Sequence, residues 1–368
     1  MSVFRSLYRG ETKFDFIGSR RRWYLASGIL IVICVLSFVF RGFNLGVEFK
    51  GGTQFQVPVT GTSISAKQTE QAFAAAGVAA ADPARLVGSG KTHQVVVKTK
   101  SLTPAEQNQV KDKVSKNLGL KQAITVQSVS SSWGHNITVK AIEGLIVFLI
   151  VVSIYLSIRF QWRMAVGAFI ALIHDLIVAG GVYSIVGFEV TPSTVVGLLT
   201  ILGFSLYDTV VVYDKVAENS RDITAGSRMT FSQAANLAVN QTLMRSINTS
   251  LIALLPVAGL LFVGAGILGV GTIKDLALIL FVGLASGAYS SLFLATPIVC
   301  ELTERQPAYK ALAKRVAAKR SSEAARLTAE PALAGGAASR RGGGAPRRVG
   351  GPAPAPRPGA RPQRGRRR

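Results

Sequence analysis

The chain has 368 residues, nearly half of them hydrophobic, yet its formal charge is +23. Two cysteines, Cys34 and Cys300, cannot supply a disulfide framework, and no Cys/His spacing suggests a zinc site. The two dominant properties separate along the chain: from Glu301 onward 17 Lys/Arg face 4 Asp/Glu, and the rest carries long apolar runs that exclude an ordinary soluble globular domain.

A membrane helix needs about 20 mostly apolar residues. Six segments qualify: 23–40, 139–158, 164–186, 194–213, 243–263 and 276–300. Arg20, Arg21 and Arg22 precede the first, as they would in a signal peptide. Its core is long, however, and "FRGFN" follows with no small-residue cleavage pattern, so it reads as an uncleaved span. Basic residues cluster in the N-terminal 22 residues, at Arg159 and Arg163, at Lys215, Arg221 and Arg228 in the loop 214–242, and in the tail 301–368. The alternate loops, "GFEVTP" and "GAGILGVGT", carry no Lys or Arg. With six spans this asymmetry predicts both termini in the cytoplasm.

That topology sends 41–138 outside as a small folded domain. "GVEFKGGTQFQVPV" (Gly46–Val59) predicts strands, with Gly51–Gly52 as a turn or bulge beside the polar Glu48 and Lys50. "SAKQTEQAFAAAG" predicts a Ser-capped helix with a Gly stop, "HQVVVKTK" a strand, "TPAEQNQVKDKVSKNLG" a Thr-capped helix and "AITVQSVS" another strand. The order β-α-β-α-β predicts an α+β domain with helices on one face of a sheet. In the tail, Thr303–Leu327 predicts a basic helix, and 331–368, made of Gly, Pro, Ala and Arg, predicts disorder. The fold class is therefore an all-α polytopic bundle of six spans with a small extracytoplasmic α+β domain and a basic tail.

The fourth span, "ILGFSLYDTVVVYDKVAEN", carries Asp208 seven residues from Lys215, or ~10 Å into the bilayer. A carboxylate deep in a membrane helix costs on the order of 2.5–3.5 kcal/mol, and such residues usually face the bundle interior and handle ions or protons. Ser205 shares its helical face and offers a hydroxyl. Arg245, with Asn248 and Thr249 one turn on, enters the fifth span from the same side, so an Asp208–Arg245 pair is expected to act as a proton switch. His174 and Asp175 lie near the middle of the third span and point about 100° apart, so one of them is expected to face Asp208. Gly180 with Ser184, and Gly283, Gly287 and Ser291, recur every four residues, which predicts close helix packing. Pro256 predicts a kink in the fifth span. No phosphate-cradling loop, nucleophile elbow or metal cluster is present. The "YD" of Tyr207–Asp208 lacks the second GxGD motif of an intramembrane aspartyl protease, so no enzyme and no cofactor are expected.

These motifs carry a resemblance. "FNLGVEFKGGTQF" (Phe43–Phe55), "ALIHDLIVAGGVYS" (Ala171–Ser184), "GFSLYDTVVVYDKVAEN" (Gly203–Asn219) and "NQTLMRSINTS" (Asn240–Ser250), in this order and spacing, are similar to motifs of the SecD/SecF family of the bacterial Sec export machinery, within the RND-type superfamily. Glu48 stands where the family often has Asp, and the Arg/Pro/Gly tail has no general family counterpart. The resemblance implies half of a twelve-helix unit, with SecD as the other half. It implies the SecYEG channel, the SecA motor, YidC and translocating preproteins as partners, and proton-motive-force-driven export as the role. It assigns Asp208 and Arg245 to the proton relay. The tail is expected to touch anionic lipids, or ribosomal RNA. An RND-type exporter of lipids or small molecules and a non-transducing translocon scaffold are the alternatives.

Overall fold

The computed structural model describes residues 14–59, 64–87, 93–120, 122–226, 228–267 and 271–339. Six of its helical segments are long and apolar enough to cross a membrane: Arg20–Arg41, Ser132–Arg159, Trp162–Val186, Pro192–Ala225, Phe231–Gly264 and Lys274–Glu304. In chain order the first is helix α1 (Arg20–Arg41). A small α+β domain follows as β1 (Asn44–Leu45), α2 (Val47–Lys50), β2 (Gly52–Pro58), α3 (Ala66–Ala75), β3 (Arg85–Val87), β4 (Gln94–Thr99), α4 (Pro104–Leu118) and β5 (Thr125–Val129). The remaining elements are α5 (Ser131–Arg159), α6 (Trp162–Val186), β6 (Glu189–Val190), α7 (Pro192–Asn219), α8 (Phe231–Ala258), α9 (Gly271–Ser290), α10 (Thr296–Glu304) and α11 (Pro307–Ser339). Wide π turns occupy Gly259–Ile267 and Ser291–Ala295. The first follows Pro256, so α8 leaves its regular geometry where the proline was expected to disturb it.

The α+β domain between α1 and α5 is built on a four-stranded antiparallel sheet in the order β3-β4-β2-β5. Alternate residues of β2 and β4 (Phe55, Val57, Val95, Val97) point to the face covered by α3 and α4, where Phe73, Val110 and Val114 complete an apolar core. Both helices start with the capping boxes their sequences announce, Ser65 with Gln68 and Thr103 with Glu106. Two expectations need correction. The segment Gly46–Val59 is not strand throughout, because Val47–Lys50 closes into a single helical turn before Gly51 (φ 73°) and Gly52 (φ 125°) release the chain into β2. The short strand β3 was also not foreseen.

The two glycines have separate jobs. Both φ values favour glycine, and a Cβ on Gly52 would sit 2.6 Å from the Thr99 carbonyl of the neighbouring strand. Gly134 of α5 lies against the same turn: a Cβ there would sit 2.7 Å from the Phe49 carbonyl.

The sheet's opposite face meets the bundle. β1 pairs in parallel with β6, in the loop between α6 and α7. Lys98, pointing away from the domain core, reaches Glu189 at 2.9 Å and the Leu45 carbonyl at 3.0 Å. Lys50 pairs with Asp82 at 3.5 Å on the surface, while Glu48 accepts from Gln127 at 2.7 Å.

Within the bundle, α7 packs along α9 through small residues. Gly197 receives Ile279, Gly283 receives Ile201, and a Cβ on Gly287 would meet that of Ser205 at 2.9 Å. Gly283 and Gly287 thus serve the packing the sequence predicted. Gly180 meets Phe38 less tightly. Its neighbour Gly181 makes the closest approach to α1, where any Cβ would overlap Cys34. Both cysteines are buried and unbridged. The segment Phe14–Ile17, just before α1, is pinned to α8: Asn236 Oδ1 accepts from the Phe16 and Ile17 amides, and Asn240 bonds both backbone groups of Phe14. In the tail, α11 continues past Leu327 to Ser339, so residues 331–339 are helical where disorder was expected, and 340–368 lie outside the described residues.

Candidate functional site: two carboxyls between α6, α7 and α9

Asp208 is 2% exposed and Asp175 is 1% exposed, and both sit between helices, away from the bundle's outer surface. α7 places Asp208 one turn after Ser205 on its buried stripe of Gly197, Ile201, Ser205 and Val212. Ser246 of α8 donates to Asp208 Oδ1 at 2.7 Å, and Ser291 of the second wide turn donates to Oδ2. Asp175 is held more fully. Ser286 of α9 donates to Oδ1, Ser205 and Ser290 donate to Oδ2 at 2.6 and 2.7 Å, and His174 Nδ1 lies 3.2 Å from Oδ1.

Five sequence expectations change here. Arg245 does not pair with Asp208. It is exposed on α8 and donates to the Tyr207 hydroxyl at 3.3 Å. The residue aimed at Asp208 is the next one, Ser246, because consecutive helical side chains diverge by about 100°. Asn248 and Thr249 likewise bring no polar atom to either carboxyl. Ser205 serves Asp175, although it shares a face with Asp208. Ser291, read from the sequence as a packing residue, is a hydrogen-bond donor to the site. The expectation that one of His174 and Asp175 would face Asp208 resolves into an indirect link: Asp175 joins α7 through Ser205, and His174 turns toward Tyr289, with ring centroids 6.0 Å apart.

The electrostatics are unusual. Among the described residues no Lys or Arg forms an ion pair with either carboxyl. Carrying two ionised carboxylates here would cost on the order of several kcal/mol per ion, so hydroxyl donation and protonation are the means of neutralisation on hand. His174 can donate through Nδ1 to Asp175, which leaves its buried Nε2 without a partner. Among the described residues no group of three or more His, Cys, Asp or Glu has the arrangement to hold a metal ion. What the arrangement offers is a pair of buried carboxyls lined by hydroxyl donors.

The donors Ser246, Ser286 and Ser290 escaped sequence reasoning. Small hydroxyls are common at membrane helix contacts, and their spacing of four along α9 (Ser286, Ser290) reads as packing.

Comparison with known proteins decides the family. Residues 109–305 match the family described as protein export membrane protein SecD/SecF, C-terminal, and residues 36–62 match the SecD/SecF GG motif. The chain belongs to the SecD/SecF family. It is 48% identical to the protein translocase subunit SecF of Streptomyces coelicolor over 87% of this chain and 85% of that protein. The SecF of Mycobacterium tuberculosis H37Rv is 44% identical over 87% of this chain and 74% of its own length. The crystal structure of SecDF, a translocon-associated membrane protein from Thermus thermophilus, superimposes with a TM-score of 0.70 at 27% identity, covering 82% of this chain and 42% of that one. The chain therefore spans less than half of that SecDF polypeptide. The SecD/SecF GG motif falls on Gly51–Gly52, the pair whose positive φ values release β2 from the α2 turn.

Proposed function

We propose that this chain is a Sec-translocon export subunit that pairs with a SecD half and uses the proton gradient to help draw preproteins outward. The observation that carries the reading is Asp208: a buried carboxyl in a spanning helix, held by two serine hydroxyls, with no cation paired to it among the described residues. A proton crossing 100 mV supplies about 2.3 kcal/mol, enough to bias a domain motion between two states. Arg245 and Tyr207 lie exposed on adjoining helices. This is the face proposed for the SecD half, whose arrival would desolvate Arg245 and bring it into electrostatic reach of Asp208. The external domain contacts SecD or the emerging polypeptide. SecYEG, SecA and YidC are the neighbours this role requires. Both termini are cytoplasmic on the charge asymmetry of the loops. Lys310, Lys314, Arg315, Lys319 and Arg320 adjoin an anionic leaflet, each worth about 1 kcal/mol there.

The test is Asp208→Asn in membrane vesicles carrying SecD, with an imposed proton gradient. Gradient-dependent export should fall to the level seen without the subunit while SecD copurification is retained. Parental export rates in the Asn variant would overturn the proposal and leave the chain a scaffold.

A further inference from the structure

The two carboxyls are joined through adjacent residues of one helix. Ser290 Oγ donates to Asp175 Oδ2, and its neighbour Ser291 Oγ donates to Asp208 Oδ2. These two serines differ from the other donors of the site. Each has a second acceptor within reach, the carbonyl three residues back: Gly287 O at 3.3 Å for Ser290 and Ala288 O at 3.2 Å for Ser291. Ser205, Ser246 and Ser286 show no such alternative among the described residues.

A hydroxyl has a single proton to donate and two lone pairs with which to accept. Beside an ionised carboxylate, a serine points its hydrogen at the carboxylate. When the carboxyl gains a proton, its own O–H needs an acceptor. The serine oxygen can fill that need only if the serine hydrogen has another destination. Ser290 and Ser291 have one, and the other three serines do not.

We propose that Ser290 and Ser291 are proton-state sensors. Ser291 turns between Asp208 and the Ala288 carbonyl as Asp208 loses and gains a proton, and Ser290 does the same between Asp175 and the Gly287 carbonyl. Each serine keeps its own proton throughout, so only the direction of donation changes. The step falls where α9 gives way to the wide turn Ser291–Ala295, whose first carbonyl accepts from Thr296 Oγ1 at 3.2 Å. Loading and unloading of the carboxyls is therefore written into the hydrogen bonding of the α9–α10 junction. Wide turns of this kind are frequent at functional sites.

The ionisable groups around the pair are few. α6 presents His174 and Asp175 and α7 presents Asp208. α8 presents Ser246 and turns Arg245 to Tyr207 at the surface, while α9 adds Tyr289, whose hydroxyl lies 3.0 Å from Ser27 of α1.

The inference rests on the proton-driven reading of Asp208, and infrared difference spectroscopy separates the two. The full chain, co-expressed with SecD in membranes, is titrated with acid, and the C=O band of a protonated carboxyl that Asp208→Asn removes is followed. In Ser291→Ala the protonated carboxyl loses the acceptor for its O–H, so that band should move to higher wavenumber. Ser291→Cys, which keeps a weak acceptor, should move it less. Ser290→Ala should leave it in place and move the band that Asp175→Asn removes. A band in the parent that is indifferent to both substitutions at Ser291 overturns the sensor and leaves the proton-driven reading standing. A titration that shows no Asp208 band overturns both.

Discussion

The α+β domain and the bundle bury their interiors by opposite chemistry. Between the sheet and α3–α4, Phe55, Val57, Phe73, Val95 and Val97 are fully buried in one apolar cluster. Between α6, α7 and α9, the buried positions alternate aliphatic side chains with Asp175, Ser205, Asp208, Ser286, Ser290 and Ser291. The first arrangement draws on water exclusion and carries no ionisable group. The second sits in a medium where apolar contact gives no advantage over lipid, so the helices hold together by close packing and interhelical hydrogen bonds. The difference teaches where each region tolerates change: the domain core is sensitive to volume, the bundle seam to donors and acceptors.

The largest effect should come from the domain. Phe73→Ala removes a ring that stacks edge-on to Phe55 at 5.0 Å, and should cost about 3–5 kcal/mol. Limited proteolysis of the full chain in vesicles should show residues 64–87 and 93–120 cleaved while the bundle survives. Loss of the bundle too would break the idea that the regions are stabilised separately.

Next in size, Asp175→Leu leaves Ser205 and Ser286 without their acceptor and Ser290 with only the Gly287 carbonyl, and should cost about 2–4 kcal/mol, measurable as a lower melting temperature in detergent. Asp175→Asn, which retains an acceptor oxygen, should recover most of that loss. Equal melting of both variants would mean that volume governs this seam as well. Smaller again, Gly283→Val drives a side chain into Ile201 and should cost about 1–3 kcal/mol. It should also weaken the Asp208–Ser291 contact further along the same α7–α9 seam.

The smallest effect lies on the domain surface. The Thr103 amide and hydroxyl hydrogen-bond the Glu106 carboxylate and hold its pKa below the usual carboxylate range. Because the folded value is the lower one, this contribution to the start of α4 is complete above the unfolded value of about 4.3. It fades as pH falls through the folded value. The protection of the first-turn amides of α4, measured against their intrinsic exchange rates, should fall at that acid limit in the parent and show no such fall in Glu106→Gln.

Much of this was legible beforehand where one residue type has one physical use. Apolar runs long enough to span, Ser65 and Thr103 as caps, Gly77 and Gly119 as stops, and a lone Asp208 in an apolar run each point one way. The azimuth of α8 was not legible. From Asn240 to Ser250 that helix carries polar residues on every side, so nothing in its pattern decides whether Arg245 or Ser246 faces inward, and a single residue's offset exchanges an ion pair for a hydroxyl. Nor could sequence foresee β1 pairing with β6. Two-residue strands have no periodicity, and the Lys98–Glu189 bridge beside them joins residues 91 positions apart.

Helix α5 runs unbroken from Ser131 to Arg159, and Ser130 alone separates it from β5. Its 29 residues amount to ~44 Å of stiff rod. With Gly134 seated against the Phe49 carbonyl and β5 hydrogen-bonded into the sheet, the domain has no slack joint at this end. Turning α5 about its axis would therefore swing the whole sheet as a crank swings its handle. The β1–β6 clip would then be the fixed bearing against which that torque is felt.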